Sequence, residues 1–190
     1  LPLTVIRGQT THLPTSAILS QLPIPLCDQG YLPPARQGVH CIGASFGPGD
    51  AHIDERATEH RHNIAMLQQA LPGLDLTRAD DDWQGHVALR CNSNDYLPVA
   101  GMLPALEPFN QRYDRIRHDR KQVIDSPAPV RPGLAVLTSL GSRGLSAAPL
   151  AAEILVDQLL GSVPPVPRYL QRAIAPARFA ERALKRGTPL

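Results

Sequence analysis

Residues 141–155 read GSRGLSAAPLAAEIL and follow directly on the apolar run LAVLTSL of residues 134–140. A buried strand that breaks at a glycine turn and starts a helix leaves backbone N–H groups unpaired at the helix N-terminus. Such a terminus attracts the electron-rich edge of a cofactor, and Arg143 adds a fixed positive charge beside it. Ser146, Ala147, Ala148, Ala151 and Ala152 are small enough for a flat ring or another backbone to come close. A strand–turn–helix packing corner is the alternative for the same residues, because glycine-rich turns of this kind are common in α/β folds. Other candidate chemistry is thinner. His60 and His62 are two apart, so a helix places them on different faces and no metal site is expected there. Asp80, Asp81 and Asp82 read as a solvated loop, and Cys91 beside Arg90 has nothing that requires it to be a nucleophile.

These residues sit in a chain of 190, long enough for one large domain or slightly more. The net charge of +2 demands no polyanionic partner. Its distribution is uneven, since Arg168, Arg172, Arg178, Arg182, Lys185 and Arg186 face only Glu181 in the last stretch. That segment is either a solvated amphipathic tail or a phosphate-facing patch. Cys27, Cys41 and Cys91 are odd in number and lack C-x-x-C spacing, which disfavours a disulfide scaffold or zinc site and fits a reducing compartment. Without an apolar run of membrane length or a basic-then-apolar leader, a soluble cytoplasmic protein with no membrane partner is expected. The first residue is Leu1, already in the approach to a strand, which predicts a piece of a longer protein.

The positioning elements follow from pattern. Residues 5–12 (VIRGQTTH) predict a strand, and 14–25 a proline-rich connection. Segments 26–32 and 39–46 predict an antiparallel hairpin around the loop PPARQG. Residues 55–71 have helical spacing with Ile64, Leu67 and Leu71 on one stripe, stopped by Pro72 and Gly73. Residues 83–91 alternate as a strand, 92–101 read as turn, and 107–121 as a polar helix. Pro164, Pro165 and Pro167 mark a linker before one or two short helices interrupted by Pro176. Antiparallel strands first and a strand–helix unit last predict an α+β fold: an antiparallel β-sheet with flanking helices, then a return into an α/β domain.

Five segments in order, RGQTTHLP, LCDQGYLPP, HCIGASF, LRCNSNDYLPVAG and GSRGLSAAPLAAEIL, span residues 7 to about 160. Jointly they resemble the C-terminal half of the D-amino-acid-oxidase-like flavoenzymes, the superfamily of glycine and sarcosine oxidases. Within it the likeness is strongest to the oxidoreductase region of bifunctional enzymes that modify the tRNA wobble uridine. The terminal RYLQRAI…RFAERALKRG resembles the basic tail of that branch only loosely. The resemblance implies residues 1–130 as a substrate domain, 131–163 as the closing strand–helix of an FAD-binding α/β domain, and 164–190 as a basic helical tail. It also implies an FAD-binding βαβ unit upstream, since G-x-G-x-x-G is absent here and Gly47-Pro48-Gly49 lacks both the third glycine and the following helix. FAD is then the cofactor of the full-length parent, expected to be absent from this fragment alone, which is expected to be inactive. A methyltransferase domain using S-adenosylmethionine precedes that unit in such proteins.

The resemblance further implies a substrate: carboxymethylaminomethyl uridine in tRNA, chemically an N-substituted glycine. Oxidation of its C–N bond and hydrolysis give aminomethyl uridine and glyoxylate, with the flavin carrying the redox step. Arg90, at the end of a strand, matches the carboxylate-binding arginine of glycine-oxidase-like enzymes, a task that suits a bidentate guanidinium. The alternative is an arginine that caps a strand edge or pairs with Asp95. Tyr31 in GYLPP matches a tyrosine whose hydroxyl reaches the substrate carboxylate, or it is an ordinary buried tyrosine on a sheet. Arg143 matches an arginine near substrate and flavin, or is a helix-start arginine that faces solvent or pairs with Glu153. Gly141, Ser142, Gly144 and Leu145 would turn N–H groups to the flavin's pyrimidine edge. The six tail cations, from Arg168 to Arg186, would face tRNA. A small-molecule amine oxidase and a binding module without chemistry of its own are the competing functions.

Overall fold

A computed structural model describes residues 1–74, 76, 83–122, 124 and 126–188; the aspartates at 80–82 lie outside the described residues. The chain divides into two compact units, residues 5–90 and residues 91–190 with the first four residues. The fold is α+β, with antiparallel pairing throughout the registered strand pairs.

In the first unit, β1 (Leu3–Pro14) is the long central strand. Around it lie β2 (Leu26–Cys27), β3 (Tyr31–Leu32), β4 (Val39–Gly43) and β5 (Gly47–Pro48) in the order β2-β3-β4-β1-β5, and β6 (Gly85–Ser93) also pairs with β1. The segment expected to be one extended arm, residues 26–32, instead folds back on itself. Asp28, Gln29 and Gly30 are turn formers, and the Asp28 N–H donates to the Gly30 carbonyl at 2.8 Å. The β3–β4 pairing that was expected survives, with Tyr31 opposite Gly43.

Along β1 the buried side alternates as Arg7, Gln9, Thr11 and Leu13, so the inward face is polar at one end and apolar at the other. Helix α1 (Ala57–Ala70) matches both halves. Its Ile64 and Leu67 join Leu13, Leu32, Ile42 and Trp83 in an apolar cluster. Its Glu59, His60 and Asn63 meet the polar half: Arg7 pairs with Glu59, Thr11 Oγ1 and His60 Nδ1 are hydrogen-bonded at 2.9 Å, and Asn63 Nδ2 donates to the Gln9 carbonyl at 2.9 Å. Hydrogen bonds of this kind offset the cost of burying polar groups. His60 is therefore a packed structural histidine, and Leu71 sits only partly buried at the edge of the cluster.

The second unit holds β7 (Val99–Pro104) and β8 (Val130–Thr138), antiparallel with Val99 opposite Thr138 and Met102 opposite Ala135. The β7 strand occupies residues read from sequence as turn. Gly101 inside it has φ +141° and lies where a Cβ would stand 3.1 Å from both Gln158 Oε1 and Pro176 Cδ. The glycine thus permits close packing and does not end the strand. Between the two strands run α2 (Leu106–Tyr113) and α3 (Arg115–His118), two pieces where one helix was expected. Phe109, Tyr113 and Ile116 repeat at helical spacing and pack with Ala180 and Leu184 of α6 (Ala177–Arg186). Helix α4 (Gly144–Leu160) follows β8 and α5 (Arg168–Ile174) precedes Pro176, as the sequence pattern implies. Leu145, Val156, Leu159 and Leu160 of α4 are exposed. Among the described residues no helix is long and apolar enough to cross a membrane.

Candidate functional site

The turn before α4 is built as a cradle. Ser139 and Gly141 both have positive φ, +59° and +55°, and a one-turn 3-10 helix (Gly141–Arg143) leads into α4 at Gly144. The helix therefore begins two residues before Ser146. The Arg143 N–H is committed to the Leu140 carbonyl at 3.2 Å, so the remaining first-turn donors are those of its neighbours. A Cβ on Gly141 would stand 2.7 Å from Asn92 Oδ1, which fixes this position as glycine. Asn92 Oδ1 and Ser139 Oγ are buried with no hydrogen-bond partner among the described residues. Buried polar atoms without partners are uncommon, and these two flank the start of α4. Gly141 and Ser142 lie in the 3-10 turn, Gly144 and Leu145 open α4, and Arg143 between them is exposed.

In the other unit, Arg90 is half-buried near the end of β6. Its guanidinium lies over Gly8 of β1, where a Cβ would come 3.9 Å from Nη2. Among the described residues it has no carboxylate partner: Asp95, the neighbour it could have capped, belongs to other arginines. Tyr31 is half-buried beside it. Burial pushes the Tyr31 phenol up from its ordinary value and the Cys41 thiol adds to that, while the charge of Arg90 pulls it down. Tyr31 also lines a mostly apolar cavity of about 210 Å³ with Leu26, Leu32, Ile42 and Met66. The structure thus brings Arg90 and Tyr31 into one electrostatic neighbourhood.

The basic tail requires a correction. Arg178 was expected to face a phosphate, but it is buried and forked onto Asp95, with Nε and Nη2 donating at 2.9 and 3.0 Å. Its Nη1 donates to the Ile174 carbonyl at 2.8 Å, and its guanidinium lies 4.1 Å from the Phe179 ring centre. The physical reason is amphipathicity: α6 turns Arg178, Phe179 and Leu184 inward together. Arg182 also pairs with Asp95, and Lys185 with Glu181 at 2.6 Å. Burial works to raise the Asp95 carboxyl, but hydrogen bonds from Arg178, Ser93, Arg182 and the Leu97 N–H hold it well below the usual range. Sequence reasoning missed this pair because nothing local links residues 83 apart. No group of three or more His, Cys, Asp or Glu able to hold a metal occurs among the described residues.

The family model for FAD dependent oxidoreductases, DAO, matches residues 1–158, and the chain belongs to that family. The chain is 41% identical over its whole length to the tRNA 5-methylaminomethyl-2-thiouridine biosynthesis bifunctional protein MnmC of Aeromonas salmonicida. It is 41% identical over 98% of its length to the protein of that name from Pseudomonas fluorescens. In each case it spans 29% of the relative's length. Its fold resembles that of glycine oxidase from Geobacillus kaustophilus, with a TM-score of 0.67 at 16% identity, covering 94% of this chain and 40% of that one. Iminodiacetate oxidase from Chelativorans sp. BNC1 gives a TM-score of 0.62 at 20% identity, covering 87% and 38%.

Proposed function

We propose that this chain is the substrate-binding and FAD-closing part of a flavin oxidase that removes the carboxymethyl group from carboxymethylaminomethyl uridine in the tRNA wobble position. The observation that carries the reading is 41% identity to a tRNA-modifying bifunctional protein across the entire chain. The rest of such a protein would supply the nucleotide-binding βαβ unit and a methyltransferase domain using S-adenosylmethionine, and the exposed leucines of α4 fit a surface covered by further protein. Its place of work is the cytoplasm, where tRNA is modified.

The substrate is a secondary amine carrying a carboxylate. Arg90 takes that carboxylate in its guanidinium fork, and the Tyr31 hydroxyl, a neutral phenol and hence a donor, adds a further hydrogen bond. A charge-assisted pair of this kind contributes about 1.5–3 kcal/mol and fixes the C–N bond in one orientation. Arg143 adds positive charge at the cradle, whose Gly141, Ser142, Gly144 and Leu145 would hold the flavin ring edge. Bound FAD supplies the hydride acceptor. Water then cleaves the oxidised C–N bond, releasing glyoxylate and aminomethyl uridine.

The test uses the full-length protein and tRNA bearing the carboxymethylaminomethyl group, with nucleosides analysed by mass spectrometry. Loss of the carboxymethyl group with stoichiometric glyoxylate supports the proposal. Oxidation of free glycine or sarcosine with the tRNA left untouched would replace it with the small-molecule amine oxidase.

A further inference from the structure

The cavity of about 210 Å³ in the first unit is lined by the β2–β3–β4 side of the sheet and by helix α1. Its inner wall is apolar: Leu32, Ile42 and Leu67 are buried members of the core cluster, and Met66 lies half-buried beside them. Leu26, Asp28 and Ala70 line it and are exposed, so they form its rim. Asp28 is the one charged residue of the lining among the described residues. The polar exception in the wall is Asn63, which is 1% exposed. Its Nδ2 donates to the Gln9 carbonyl at 2.9 Å and to Thr11 Oγ1 at 3.1 Å. A carbonyl only accepts, so these bonds fix the nitrogen end of the amide toward β1. Asn63 Oδ1, the other end, is buried with no hydrogen-bond partner among the described residues. An amide oxygen is a strong acceptor, and burying it unpaired is costly.

We propose that this cavity binds a small uncharged aromatic molecule with one N–H donor, its ring against Leu32, Ile42 and Met66 and its donor on Asn63 Oδ1. The volume suits one ring or two fused rings, since an apolar cavity of about 150 Å³ already admits benzene. Met66 favours a ring over an aliphatic chain, because a thioether sulfur makes favourable contacts with aromatic edges. A single acceptor in an apolar wall matches a ligand with one donor and no acceptors of its own to bury unpaired. Asp28 on the rim disfavours an anion. A nucleobase fits poorly, because its ring carbonyls would enter the wall without donors. The site therefore does not rest on the proposed tRNA chemistry, and Tyr31 is the one proposed substrate residue on its border.

The experiment titrates the full-length flavoprotein with indole, a ligand that donates and does not accept, and with 1-methylindole, which keeps the rings and loses the donor. Calorimetry should show indole binding at one site, about three- to tenfold more tightly than 1-methylindole. Ala70→Phe fills space from an exposed rim position and should weaken indole binding about tenfold or more. Flavin absorbance and circular dichroism of that variant should match the parent, which separates a blocked cavity from a damaged fold. Absence of saturable indole binding overturns the proposal, as it would if Asn63 Oδ1 were served by water alone. Equal affinity for the two indoles overturns the role of Asn63, and undiminished binding to Ala70→Phe places the ligand elsewhere and overturns the cavity assignment.

Discussion

Asp95 and Arg178 form a bidentate ion pair in which the arginine is buried and the carboxylate is also reached by Ser93 Oγ at 2.8 Å. The pair joins the turn after β6 to helix α6. Removing only the carboxylate leaves a guanidinium in low dielectric without a counter-charge, a change that costs about 3–5 kcal/mol. Asp95→Asn in the full-length protein is therefore expected to loosen α6, seen as faster amide exchange over residues 177–186 and an earlier melting transition. Unchanged exchange there would show that the pair is dispensable.

The same pair sets an acid limit. The Asp95 carboxyl is held below its usual value in the folded protein. In the unfolded chain it titrates near the ordinary value, about 3.9, so between the two values the unfolded state binds more protons. The stabilisation is thus fully present above about pH 5 and is lost as pH falls below about 4 toward the folded value. Acid unfolding followed by circular dichroism should show this slope, and Asp95→Asn should flatten it while lowering stability at neutral pH. An equal slope in both proteins would assign acid sensitivity to other carboxylates.

Gly141 gives a test of the cradle. Its φ of +55° costs an alanine roughly 1–2 kcal/mol, and the added Cβ would stand 2.7 Å from Asn92 Oδ1. Gly141→Ala should reduce the flavin content of the purified full-length protein, read from its visible absorbance, with the fold retained by circular dichroism. Full flavin content in Gly141→Ala would remove the turn from the cofactor site.

What was legible from sequence was local. The strand at β1, helix α1, the β8–turn–α4 passage and the break at Pro176 all follow from periodicity and from proline and glycine punctuation. Strand β7 was hidden because Asp95, Pro98 and Gly101 read as turn formers, whereas Gly101 is there for the approach of Pro176, 75 positions along the chain. Arg178 misled for a related reason. A tail rich in cations looks solvated, and only the tertiary position of Asp95 draws one of them inward. Arg90 and Tyr31 could be singled out only through the joint order of motifs, because no spacing relates residues from β6 and β3.

Arg90 is the residue on which the functional reading can fail most directly. Its guanidinium lies over Gly8 without a carboxylate partner among the described residues. The substrate's carboxylate also separates it from the uncharged aminomethyl product, so the anchor contributes to binding as well as orientation. Arg90→Lys keeps the charge and loses the fork, and should retain part of the activity. Arg90→Ala loses both, at a cost of roughly 2–4 kcal/mol, or about 30- to 1000-fold in kcat/KM for tRNA oxidation by the full-length protein. Gly8→Val would crowd the guanidinium from beneath and should produce a milder loss. Flavin absorbance should hardly change in any of the three, because the cradle belongs to other residues, and methylation of aminomethyl tRNA by the parent should survive. Near-normal oxidation by Arg90→Ala would exclude it from the site, and flavin lost together with activity would make it a structural residue.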